Sequence, residues 1–94
     1  MIPALETLML TFSGEEGLKP PDRTLFLGAR THPGLKQFPA ISGWQPHKTL
    51  ADEWQNADFD RLDQPTGKWP LVMLLPGKSR DETLAYFAMA RDHL

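Results

Sequence analysis

The chain has 94 residues, 40% of them apolar and 23% charged, with a net charge of −2 and no cysteine. That length allows one small domain with a modest core, and the composition is that of a folded globular chain, not a disordered tail. Disulfides, thiolate metal sites and a cysteine nucleophile are excluded. So is a strong basic field, because residues 1–50 carry five Lys/Arg against four Asp/Glu and residues 51–94 carry five against eight.

The N-terminus has no basic leader region, and Glu6 interrupts it. Residues 2–12 read as a first helix, with Pro3 in its first turn and Leu5, Leu8, Met9 and Phe12 on one face. Residues 13–23, with two Gly and Pro20-Pro21, read as a loop. "TLFLGA", residues 24–29, reads as a buried strand closed by Gly28. Pro33, Gly34, Pro39 and Gly43 then limit the chain to one helical turn at most. "WQPHK", residues 44–48, reads as an extended segment that Pro46 confines to a sheet edge or a bulge.

Thr49 is the expected cap of a second helix, with Asp52 and Glu53 in its first turn and Leu50, Ala51 and Trp54 facing inward. Residues 58–62 are a weak strand candidate, followed by a turn at "DQPTG". "WPLVMLL", residues 69–75, is the strongest strand signal, apolar throughout after Trp69, as a central parallel strand covered on both faces requires. Its apolar run, ending at Pro76, is far too short to span a membrane. Residues 79–94 form the strongest helix. Ser79-Arg80-Asp81-Glu82 is a capping box, and Leu84, Phe87, Ala88 and Met89 are its expected buried face. The alternation predicts an α/β layer fold with a mainly parallel sheet.

Several motifs invite a chemical reading. "PGKS" resembles the end of a phosphate loop, but the glycine required five residues before Gly77 is Val72. A strand entering a Ser-capped helix explains the same letters. A milder role survives, in which Lys78, Ser79 and Arg80, with Arg30, contact an RNA backbone phosphate or another anion. The strand "TLFLG" lacks the Gly-rich turn of a dinucleotide or S-adenosylmethionine site. His32, His47 and His93 form no metal-ligand pair. Asp58, Asp60 and Asp63 fail as a calcium loop, because Leu62 and Asp63 fall where a ligand and a glycine are needed. No Gly-x-Ser-x-Gly elbow surrounds Ser13, Ser42 or Ser79. Trp44 and Trp69, near turn residues, are better surface candidates than Trp54, although packing is the expected role of all three. Arg23, Arg30, His32 and Lys36 make a loose basic cluster along the chain.

"TLFLGAR", "GWQPHKTLADEW" and "WPLVMLLPGKSRDETLAYFAMARDHL" together resemble the N-terminal half of bacterial class I methyltransferases of the ribosomal RNA guanine-N2 type. The resemblance covers most of the chain from Thr24 onward and rests on the order of segments and the strand–"PGKSRDE"–helix join. It implies a Rossmann-like three-layer unit, incomplete or degenerate, spanning residues 1–94 and belonging to a longer tandem-domain protein. In that family the C-terminal domain binds S-adenosylmethionine and carries an Asn-Pro-Pro-aromatic motif, absent here. No catalytic or cofactor-binding residue therefore carries over. The expectations are a cytoplasmic scaffold or RNA-positioning domain that takes no cofactor and performs no chemistry alone. Its implied partners are ribosomal RNA and the parent's catalytic domain. Two rivals stand beside this reading. One is an interaction module that self-associates through open sheet edges. The other is a small enzyme built on His32, His47 and acidic residues.

Overall fold

The structure, a computed structural model, describes residues 3–10 and 19–94. Its elements are α1 (Pro3–Leu10), β1 (Thr24–Leu27), a 3-10 turn (Pro33–Gln37), β2 (Ile41–Trp44), α2 (Lys48–Asn56), β3 (Asp60–Leu62), β4 (Leu71–Leu74) and α3 (Arg80–His93). The four strands form one all-parallel sheet in the order β3-β2-β1-β4. This is an α/β, Rossmann-like arrangement, as the alternation predicts. Phe12 and the start of the expected 13–23 loop lie outside the described residues.

The alternation of side chains along each strand divides the core into two layers. Phe26 on β1, Ile41 on β2 and Met73 on β4 point to one face, where Leu5 and Met9 of α1, Leu35 of the 3-10 turn and Trp54 of α2 cover them. Leu25, Leu27, Val72 and Leu74 point to the other face, against Met89 and Ala90 of α3. Helices therefore lie on both sides of the sheet, and β1, with every residue fully buried, is its centre.

That placement corrects the reading of residues 69–75 as the central strand. β4 is apolar but lies at the edge, and only Met73 within it is buried. An apolar run reports that both faces are covered, not that both edges are paired. Residues 44–48 are corrected too. The strand is Ile41–Trp44, it is interior, and Pro46 falls beyond its end, where no ladder bond is lost.

Gly43 explains why β2 sits where it does. A Cβ at this position would collide with the indole of Trp54, so α2 packs directly onto the β2 backbone. Trp54 is buried, stands edge-on to Phe26 at 5.7 Å, stacks on Phe59 at 4.5 Å, and donates from Nε1 to the Asp60 carbonyl at 2.7 Å. One side chain thereby ties α2 to β1, β2 and β3.

α2 begins one residue before the expected cap. His47 is the cap residue, makes no side-chain cap bond, and leaves Asp52 and Glu53 outside the first turn. Asp52 instead accepts from Lys48 and from Arg61 on β3. Asp58, whose spacing fails as a calcium loop, is a helix stop: its φ of 67° is left-handed, and its N–H donates to the Gln55 carbonyl.

α3 follows its expected bounds, but of the four residues expected on its buried face only Met89 packs against the sheet. Tyr86 and Ala90 are buried, whereas Leu84 and Phe87 are 53% and 56% exposed. Periodicity allowed either stripe. The sheet selects the one carrying Tyr86, which meets Trp44 edge-on at 5.3 Å.

Candidate functional site

The strand order reverses about β1: the chain steps from β1 to β2 on one side, then crosses back to place β4 on the other. At such a switch point the loops leaving two neighbouring strands diverge and open a crevice at their carboxyl ends. A cleft of about 300 Å³ lies here, between Gly28 and Arg30 after β1, Gln45 and His47 after β2, and Leu75 to Lys78 after β4. Ala4, Leu50, Leu75 and Pro76 supply apolar wall.

Each strand exit is fixed by its backbone. Gly28 and Ala29 both donate to the Trp44 carbonyl, and Leu75 donates to the Leu27 carbonyl. Gly28 has a φ of 71°, and a Cβ there would press on Tyr86 and the Leu75 carbonyl at 3.1 Å, so the tight turn requires glycine twice over. Gln45 bridges two loops: its amide donates to the Ala29 carbonyl and its oxygen accepts from the His47 N–H.

At the cleft wall Glu82 gathers two donors. Its carboxylate accepts from the Tyr86 hydroxyl and from His47 Nε2 at 2.8 Å. The Tyr86 bond foremost, then that of His47, holds the Glu82 carboxyl below the usual carboxylate range. Burial first, then the neighbouring carboxylate, pushes the Tyr86 phenol well above its ordinary value. Both shifts oppose acid–base work: Glu82 becomes a weaker base and Tyr86 a weaker acid. The triad locks the β2–α2 junction to α3.

The capping box is therefore half formed as expected. Ser79 Oγ accepts from the Glu82 N–H at 3.1 Å, but the Glu82 side chain turns to His47 and Tyr86. Thr83 Oγ1 adds a bond from the Gly77 N–H. No phosphate loop exists; β4 passes through Pro76-Gly77-Lys78 directly into the capped helix.

Of the four residues singled out for an anion, Arg30 and Lys78 line the cleft. Neither takes part in an ion pair among the described residues. Ser79 is consumed as a cap, and Arg80 is exposed at the start of α3, outside the cleft lining. The sequence cluster disperses: Arg23 stacks 4.2 Å over Trp69, and His32 caps the 3-10 turn and pairs with Glu6 at 3.1 Å. His32 and His47 belong to separate pairs, and no three His, Asp or Glu side chains among the described residues gather as a metal site. The Tyr86–Glu82–His47 triad was missed in the sequence, because its members lie 35 residues apart and meet only when β2 and β4 flank β1.

No family model, no curated protein and no solved structure matches this chain. Among the described residues no helix is long and apolar enough to cross a membrane.

Proposed function

We propose that this chain is a non-catalytic, methyltransferase-like N-terminal domain that positions RNA and scaffolds a catalytic partner domain in the cytoplasm. The observation that carries the reading is the state of the switch-point cleft. Its first strand exits through Gly28-Ala29-Arg30, without the Gly-rich turn that would admit a pyrophosphate or the methionine moiety of S-adenosylmethionine. Glu82, the carboxylate among its described lining residues, is engaged internally, while Arg30 and Lys78 take part in no ion pair among the described residues. The segment resemblance from Thr24 onward supplies the class of parent protein. On this reading S-adenosylmethionine belongs to the parent's C-terminal domain.

The test has two arms. Equilibrium dialysis against S-adenosylmethionine should show no retention by the purified chain. Fluorescence anisotropy with a single-stranded ribosomal RNA fragment should show binding that weakens with salt. With Arg30, Lys78 and Arg80 as the contacting cations, the log–log slope should be about −2. Tight cofactor binding, or RNA binding absent at low salt, overturns the reading.

A second reading is favoured by one surface. Leu84 and Phe87 lie exposed three residues apart on α3, and among the described residues the sheet edges at β3 and β4 pair with no further strand. On that reading the chain self-associates. Sedimentation velocity at two concentrations separates the two: a strict monomer that binds RNA removes this one.

A further inference from the structure

The cleft holds more than a place for a lone phosphate. Among the described residues the cations Arg30 and Lys78 take part in no ion pair, and the carboxylate that lines the same cleft, Glu82, already accepts from His47 and Tyr86. The local charge therefore suits a ligand carrying about one negative charge. The same cleft is lined by the apolar groups of Ala4, Leu50, Leu75 and Pro76, more than a bare anion needs and suited to a flat ring. His47 adds a polar edge to the cleft, with Nε2 engaged by Glu82 at 2.8 Å. At about 300 Å³ the volume is at the small end of ligand sites. It matches one nucleotide and not a dinucleotide.

We infer that the cleft takes a single nucleotide unit of an RNA strand, its phosphate on Arg30 and Lys78 and its base against the Leu50–Leu75 wall. The inference rests on the RNA-positioning reading for its ligand class and adds to it a discrete nucleotide pocket. Of the α3 amides that of Glu82 is already taken by Ser79 Oγ, and the phosphate contacts assigned here are those of the two side chains. The phosphate is recognised by side chains that approach from two different strand exits, which fixes its distance from the wall. A base extruded from a strand can enter this crevice; a paired base in a duplex cannot.

The experiment is an amide-resonance titration of the full chain with guanosine and uridine 5′-monophosphate, inorganic phosphate and the corresponding nucleosides. At least one nucleotide should shift the resonances of Gly28, Arg30, Gln45 and Gly77 and bind more tightly than inorganic phosphate or its nucleoside. Arg30→Ala and Lys78→Ala should each weaken it about tenfold. The same two variants should keep the wild-type circular dichroism, and Lys36→Ala, away from the cleft, should bind as wild type. Inorganic phosphate binding as tightly as the nucleotides overturns the inference, as do shifts confined to other surfaces or folded variants with undiminished binding. RNA binding by anisotropy without any nucleotide effect at the cleft overturns this inference alone. Loss of both overturns the RNA reading with it.

Discussion

Substituting alanine at Gly43 adds a single methyl group where the structure has no room for it. The new Cβ would lie 2.5 Å from Trp54 Nε1 and 2.6 Å from Cζ2, against 3.4–4 Å for ordinary contact. The indole would have to retreat by about 1 Å, which is the scale at which a close-packed core resists. Retreat is blocked by Phe26 at 5.7 Å and the stacked Phe59 at 4.5 Å, and it would stretch the 2.7 Å bond to the Asp60 carbonyl. Overpacking of this kind costs about 1–3 kcal/mol and the strained hydrogen bond about 1 kcal/mol more. The smaller unfolded-state entropy of alanine offsets about 0.5–1 kcal/mol. The net expectation is a loss of about 2–3 kcal/mol, a large share of the stability of a chain this size. In urea unfolding followed by circular dichroism the midpoint should fall by about 2 M, with the slope unchanged. In a Trp54→Phe background the same alanine should cost little, because the smaller ring leaves space, giving a coupling of at least about 1 kcal/mol. A Gly43→Ala midpoint within experimental error of wild type, or additive costs in the double variant, would refute the account of β2 and α2 packing.

Three further outcomes are expected. Thr24 is fully buried and its hydroxyl has no hydrogen-bond partner among the described residues, so Thr24→Val should raise stability by about 1 kcal/mol in the same urea assay. Glu82 has its folded pKa lowered from 4.5, so the stability it contributes is fully present above that value and is lost as pH falls through the folded pKa. Urea midpoints measured from pH 6 down to about pH 3 should therefore fall more steeply for wild type than for Glu82→Gln; parallel curves would refute the role of the triad. Phe87→Ala should change stability by less than about 0.5 kcal/mol, since the ring is more than half exposed, whereas a buried phenylalanine would cost about 3–5 kcal/mol.

The elements themselves were legible in the sequence wherever the signal was local. Ser79 marks the start of α3 because a hydroxyl there meets the N–H three residues on, and Gly28 marks the end of β1 because the turn demands a left-handed residue. The strands 24–27, 60–62 and 71–74 were visible as apolar or alternating runs. β2 was displaced in the reading because Gly43 looks like a strand breaker until Trp54 is known to lie on it. The start of α2 was displaced for a related reason: His47 caps it without a capping bond, so the usual Ser/Thr signal pointed two residues too late, at Thr49.

Composition and pattern alone determined that this chain is a small α/β layer without thiol chemistry, without a phosphate loop and without a Gly-rich cofactor turn. Tertiary structure decided the rest. It set β1 rather than β4 at the centre, turned Tyr86 rather than Phe87 inward, and brought His47 within 2.8 Å of Glu82 to wall a cleft that holds Arg30 and Lys78. The physical reason is the range of the forces involved. Caps, turns and side-chain periodicity act over a few residues and are written in consecutive letters. Strand order, helix rotation and the meeting of residues 35 apart follow from which surfaces exclude water together, and that is settled only when the whole sheet is assembled.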